Sequence, residues 1–314
     1  MIKQITLDTL DDLTDLITDY LQFLKDERGR PPSPLKEQLK ELLSEKARVI
    51  FALYQKNQVL GFATASPSEG IINVIHIQKS IKERDDSEAL IYEKKLFNAA
   101  FTYLKADCST VRIFGIQISD NLANYVVKNG FKNIKRAKMF IERESIESLV
   151  EPDLPSEYKF VPWNVDLIPF IADLLAMYHF NGDQHPDAEV FPQFAGIEGA
   201  KRLIEGIRTN KYGQFKEDYT VIIKHNEKCI GANFMTLFPE FGYIPEIIVS
   251  PEHRGKGLGK GLLIHSLKQF IKKEPDISRV ELDVTLKNIP AARAYKSLGF
   301  QERDQYSVFI WNKE

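Results

Sequence analysis

Cysteine is almost missing from this chain: its 314 residues hold two, Cys108 and Cys229, in neither a CxxC nor any metal-ligand spacing. Two isolated thiols suit a reducing cytoplasm. An excess of one charge is missing too. Lys and Arg total 42 against 44 Asp and Glu, a net charge of −2 with both signs interspersed, so nothing electrostatic points to nucleic acid. No apolar run approaches the roughly 18 residues that cross a bilayer. The opening MIKQITLDTLDDLTDLI lacks the basic region and apolar core of a signal peptide. Neither a membrane nor a nucleic acid is an expected partner. What the chain has is length: at roughly 150 residues per domain it suggests two, able to bury about three quarters of the unfolded surface.

The densest signal lies in residues 247–261, IIVSPEHRGKGLGKG. A strand-like apolar run stops at Pro251, and a glycine-alternating turn feeds a long helix. Arg254, Gly255, Lys256, Gly257, Leu258, Gly259 and Lys260 put successive backbone N–H groups and flanking cations at a helix N-terminus, which makes a cradle for an anion. A plain helix-entry turn needs one glycine, so three alternating ones argue for close approach of a ligand to the backbone. Two better-known phosphate loops do not fit. The dinucleotide fingerprint GxGxxG wants a glycine where this chain has Lys260 or Leu262, and GxxxxGK[ST] wants glycines five apart, which 255–261 do not offer. What remains is a compact turn for a pyrophosphate lying across a helix start.

In these residues the sequence resembles the GCN5-related N-acetyltransferase (GNAT) superfamily, whose cofactor motif reads roughly VxPxx[RQ]GxGxG. Val249, Pro251, Arg254, Gly255, Gly257 and Gly259 match it position by position. A second motif of that superfamily stands downstream in NIPAARAYKSLGF, as Asn288, Ala291, Tyr295, Gly299 and Phe300. The resemblance is strong from about residue 218 to 311. It implies acetyl-CoA as cosubstrate, no metal, and two central strands splayed around the pantetheine arm. It also implies that backbone groups of Ile247, Ile248 and Val249 contact that arm, with the N–H of Ile248 or Val249 as oxyanion donor, and that Asn288 belongs to the cofactor site. Tyr295 carries the general-acid role by the same resemblance. A phenol with a pKa near 10 stays protonated at neutral pH and can donate to a thiolate with a pKa near 8.5. Two carboxylates compete as general base: Glu246, which opens the motif strand, and Asp283, five before Asn288. The third option is no dedicated base. Lys256 and Lys260 either reach phosphate oxygens or are merely solvated.

The chain also repeats itself. Residues 49–63 (VIFALYQKNQVLGFA) lie over 220–234 (TVIIKHNEKCIGANF) as a hairpin with a polar turn, and 127–143 parallels 296–312. Matched glycines keep nearly the same spacing, 170 residues for Gly61 and Gly231 and 169 for Gly130 and Gly299. A tandem duplication explains this, at a period too long for a solenoid. The fold expected is therefore α/β (α+β): two tandem GNAT-like domains, each a mixed, mostly antiparallel twisted sheet flanked by helices. Polar residues with Pro152 and Pro155 read as the connection. Residues 1–146 are expected as a degenerate domain without a cofactor site, 147–157 as a linker and 158–314 as the catalytic domain. Carried back by 169, RGKGLG lands on Asp85, Asp86, Ser87, Glu88, Ala89 and Leu90, with no glycine and three acids that would repel a pyrophosphate. Tyr295 lands on Val126 and Asn288 on Ser119.

Within the second copy, periodicity gives a strand at 159–162, a helix at 165–179, a loop, a helix at about 197–209, the hairpin, and a strand at 243–249. A helix at 257–273, a strand at 279–284, a helix at 290–298 and a last strand pair follow. The loop 178–194, YHFNGDQHPDAEVFPQF, is expected over the acceptor cleft, as a polar pocket or as a solvated loop. Its His179, Asp183, His185 and Asp187 lack the tight helical spacing of zinc motifs, and its acids hint at an amine. The function this implies is an acetyl-CoA-dependent N-acetyltransferase acting on a primary amine of a small molecule or peptide by direct transfer. The alternative is a noncatalytic acyl-CoA-binding or scaffold protein. A homodimer stays open.

Overall fold

The computed structural model describes residues 1–28, 35–114, 118–181 and 185–313. It divides into two compact units, Met1–Ile134 with Tyr306–Glu314, and Lys135–Gln305.

Unit 1 contains β1 (Ile2–Ile5), α1 (Thr14–Arg28), α2 (Leu35–Ser44), β2 (Val49–Gln55), β3 (Gln58–Ser66), β4 (Ile71–Ile77), α3 (Lys79–Arg84), α4 (Asp86–Asp107), β5 (Thr110–Phe114), α5 (Asp120–Lys128) and the start of β6 (Lys132–Glu142). The β2–β3 hairpin closes through Lys56 and Asn57, both at positive φ (45° and 64°), the two-residue turn whose twist matches its strands. Alternation along β2 sends Ile50 and Ala52 toward Leu16, Ile17 and Tyr20 of α1, and Val49, Phe51 and Leu53 toward Leu96, Phe97, Ala100 and Leu104 of α4. The strands pair in sequence order, antiparallel except for β4 with β5.

Unit 2 holds the rest of β6, then α6 (Arg143–Ser148), β7 (Tyr158–Pro162), α7 (Ile168–Tyr178), α8 (Pro186–Val190), α9 (Gly196–Arg208), β8 (Val221–His225), β9 (Lys228–Leu237), β10 (Gly242–Val249), α10 (Leu258–Lys273), β11 (Arg279–Thr285), α11 (Ile289–Ser297) and the start of β12 (Gln301–Asn312). Its strands β7 to β11 also pair in order, antiparallel except for β10 with β11. Ile171, Leu175, Leu203 and Ile207 of α7 and α9 cover one face, and Leu262, Leu263, Leu267 and Phe270 of α10 cover the other. Each unit thus repeats one plan of strands and helices. The helix caps agree: Ser119 Oγ accepts the N–H of Leu122 ahead of α5, and Asn288 Oδ1 accepts the N–H of Ala291 ahead of α11.

The units do not follow the expected boundaries, because the repeats exchange their last strands. Residues 136–142 of β6 pair with β11 in unit 2, and residues 308–312 of β12 pair with β5 in unit 1. The expected linker is not free chain either. Leu154 packs among Val221, Leu258 and Leu262, and Pro152 lies over Gly261. The expected last strand pair is one continuous strand of 12 residues, since QERDQYSVFIWN carries neither Gly nor Pro to turn it. Among the described residues no helix is long and apolar enough to cross a membrane.

Candidate active site

β10 and β11 pair only through Gly242, Tyr243 and Ile244, and beyond that point a gap opens between them. A bulge on β10 accompanies the divergence: Tyr243 stands opposite Thr236 of β9, yet Glu246 stands opposite Phe234, one residue too many on β10. The N–H of Ser250 donates to the carbonyl of Ile230 at 2.8 Å. Alternation along an antiparallel pair then turns the amide of Ile248 toward β9 and leaves those of Ile247 and Val249 on the open edge. Of the two expected oxyanion donors, only Val249 faces the gap. Its carbonyl is taken by Arg254 Nε at 3.3 Å.

A cavity of about 340 Å³ fills this gap. Ile247, Ile248, Val249, Arg254, Gly259, Lys260 and Leu263 form one wall; Asn288, Ala291, Ala294 and Tyr295 of α11 form another; Tyr178, His179, His185 and Pro186 close a third. Beside it, Gly255 and Gly257 sit at φ of 78° and 77° with nothing within 4 Å of an added Cβ. The backbone angle, not crowding, requires glycine there, and the space is left open. α10 begins without a side-chain cap, and its first internal bond runs from the N–H of Gly261 to Gly257. The amides of Leu258, Gly259 and Lys260 therefore have no protein partner among the described residues, and a diphosphate fits them. Leu258 offers only its amide, as its side chain is core. Lys256 Nζ donates to Tyr158 Oη at 3.0 Å and does not line the cavity.

The matching helix start in unit 1 is already satisfied. Asp85 Oδ1 accepts the N–H groups of Ser87 and Glu88 at 2.8 and 3.2 Å, with Asp86 and Glu88 in the first turn of α4. A side-chain carboxylate occupies the place an anion would take. Val126 is core and Tyr125 shares hydrogen bonds with Asn98.

Beneath the cavity lies a chain of buried charges. His179, just past α7, has Nδ1 2.8 Å from Glu246 Oε1 and Nε2 3.2 Å from Asp187 Oδ2. Asp187 Oδ1 accepts from Arg136 Nη1 at 2.6 Å and from Thr285 Oγ1. Burial works against a proton on His179, but Glu246 and Asp187 outweigh it and push its pKa up to about 10. Burial likewise opposes charge on Asp187, yet His179 and Arg136 hold it well below the usual carboxylate range. Glu246 is pushed up by burial against the pull of His179. Its contact with His179 is an ion pair, not an aligned hydrogen bond, and Oε1 has no other hydrogen-bond partner. Two cations and two anions balance here.

Neither proposed base reaches the cavity wall. Glu246 stands behind His179, and Asp283 accepts from Tyr243 Oη at 2.9 Å. Tyr295 does line it, one turn beyond Ala291, with its ring against Phe300. Burial, then the charges of Glu246 and Asp187, hold its phenol above the ordinary range. His179, Arg136 and Thr285 were not legible as partners of Glu246 and Asp187. Arg136 lies in the segment expected to belong to the first domain.

His179, His185 and Asp187 bring ligand-type atoms within 4.8 Å of one another. Asp183 lies outside the described residues. The ring nitrogens of His179 both face carboxylates, and His185 Nδ1 accepts the N–H of Asp187 at 3.2 Å. His179 and Asp187 are thus already paired within the protein, and only Nε2 of His185 is left over.

Residues 174–300 match the model described as Acetyltransferase (GNAT) family. Mycothiol acetyltransferase of Corynebacterium aurimucosum is 35% identical over 71 residues, 23% of this chain and 23% of that protein. Streptothricin acetyltransferase of Streptomyces lavendulae is 40% identical over 57 residues, 18% of this chain and 29% of that one. The matches thus span under a third of either curated relative. A solved tandem GNAT protein from the clavulanic acid biosynthesis pathway is similar in fold, with a TM-score of 0.62 at 16% identity over 99% of this chain and 98% of that one.

Proposed function

We propose, for a chain that carries a domain of the acetyltransferase (GNAT) family, that this domain moves an acetyl group from acetyl-CoA directly to a primary amine of a small molecule or peptide. The observation that carries the reading is the uncapped start of α10, with open amides at Leu258, Gly259 and Lys260, beside a cavity that also presents Tyr295. Acetyl-CoA, when bound, supplies an activated acyl carbon and a thiol leaving group. The open amides and Arg254 hold its diphosphate, and the N–H of Val249 faces the gap where an oxyanion would need a donor. Tyr295, protonated throughout the neutral range, is the proton source. A protein that only bound CoA would have no use for that phenol in the cavity. In unit 1 the corresponding helix start is taken by Asp85, so this reading puts the cofactor in unit 2.

The amine arrives uncharged and loses its proton without a dedicated carboxylate base. Glu246 and Asp283 both stand off the cavity wall, and the charge on Glu246 is balanced by His179. For a series of amines, kcat/KM should then rise with pH up to each amine's own pKa. A break at one pH common to all amines would assign an enzyme base.

The reading as a whole is tested by titrating CoA into the full chain by calorimetry and following thiol release from acetyl-CoA with a panel of amines. Tyr295→Phe should lower turnover at least tenfold while cofactor affinity stays nearly intact. Unchanged turnover would remove Tyr295 from the mechanism, and tight CoA binding with no release from any amine would favour a noncatalytic binder.

A further inference from the structure

His185 starts α8 as its N-cap, with Nδ1 accepting the N–H of Asp187 at 3.2 Å. A ring nitrogen that accepts carries no proton, so a neutral His185 carries it on Nε2. The ring is neutral at ordinary pH: burial, then the charge on His179, push its pKa down to about 4, and Arg254 and Arg136 act in the same direction. Nε2 points at Asn288, 3.1 Å from Nδ2. The Asn288 amide cannot simply be turned over. Its Oδ1 accepts the N–H of Ala291 at 3.3 Å as the cap of α11, and the reversed amide would set NH₂ against that N–H. Two donors therefore face each other, and neither has an acceptor among the described residues.

Both side chains line the cavity. Two nitrogens 3.1 Å apart suit a single oxygen at ordinary hydrogen-bond length from each. At this ring burial and the charges of His179, Arg254 and Arg136 outweigh the opposing pull of Asp187, and two N–H donors call for an acceptor, which an oxygen supplies. We propose that His185 Nε2–H and Asn288 Nδ2–H form a two-donor clamp on one carbonyl oxygen of a bound substrate. The clamp rests on the acetyltransferase reading, which offers two sources of that oxygen: an amide or thioester carbonyl of acetyl-CoA, or a carbonyl next to the amine of the acceptor.

Two substitutions separate the clamp from the cap. His185→Asn keeps an oxygen for the N–H of Asp187 and removes the Nε2 donor; His185→Gln can place an amide N–H where Nε2 was. The full chain is titrated with CoA and acetyl-CoA, and kcat/KM is measured over a panel of amino-acid amides and alkylamines. His185→Asn should lose about tenfold, one hydrogen bond's worth, and His185→Gln should recover to within about threefold of wild type. A loss seen in CoA affinity assigns the oxygen to the cofactor; a loss confined to amines that carry an amide assigns it to the acceptor. No loss in His185→Asn, or equal losses in both variants, overturns the clamp while leaving the acetyltransferase reading intact. A wild-type chain that takes no CoA would sink both.

Discussion

His179→Phe keeps a flat ring of similar size and removes both N–H groups that face Glu246 and Asp187. Breaking a buried pair by deleting one partner typically costs 3–5 kcal/mol, because the remaining charge stays buried. Proton linkage gives an independent figure. The folded-state pKa of His179 is raised from 6.5 to about 10, so its contribution is fully present below pH 6.5 and lost as pH rises through 10. At about 1.4 kcal/mol per pH unit, roughly 4 kcal/mol remains at pH 7. The two figures describe the same pair and are not added. Urea unfolding of wild type and variant should differ by about 3–4 kcal/mol at pH 7, and by much less at pH 9.5. Comparing the two proteins at each pH cancels the lysines and tyrosines that titrate in the same range. A difference under about 1 kcal/mol at pH 7, or one that does not shrink as pH rises, would refute the charged His179 bridge.

Asp85→Ala removes the cap of α4 and should cost about 1 kcal/mol in urea unfolding while leaving CoA affinity unchanged; lost CoA binding would reveal a cofactor site in unit 1. Gly257→Ala meets no neighbour within 4 Å but forces a side chain to φ 77°, so it should cost about 1–2 kcal/mol and weaken CoA binding. Full stability and full affinity would show that the turn does not need glycine at this position. Phe97→Ala, in the core of unit 1 at 0% exposure, should cost about 3–5 kcal/mol, and a loss below about 1 kcal/mol would mean the space collapses.

The parts of this molecule legible in its sequence are those fixed by short-range pattern. Strand alternation and short polar turns marked the hairpins, and the glycine turn marked the start of α10. The bulge on β10 was not legible, and it decides the fate of Glu246. One extra residue reverses the alternation, so Ile244 packs with Phe270 beneath α10 while Glu246, two positions on, meets His179. α8 was hidden inside an expected loop: Pro186 suits a first helical position, but the cap is a histidine and not Ser, Thr, Asp or Asn, and five residues are too few to show a helical period. The exchange of β6 and β12 had no signature at all, because two copies of one strand fit either sheet.

That exchange constrains how the molecule can be made. On a ribosome, β5 emerges early, yet its neighbour, residues 308–312 of β12, appears only after all of unit 2 has been synthesised. Until then that edge lacks its native neighbour, and β6, made first and equally able to fit it, is the nearest wrong partner. A fragment ending at Ile134 would keep that liability permanently, whereas grafting residues 306–313 behind it should cure the defect.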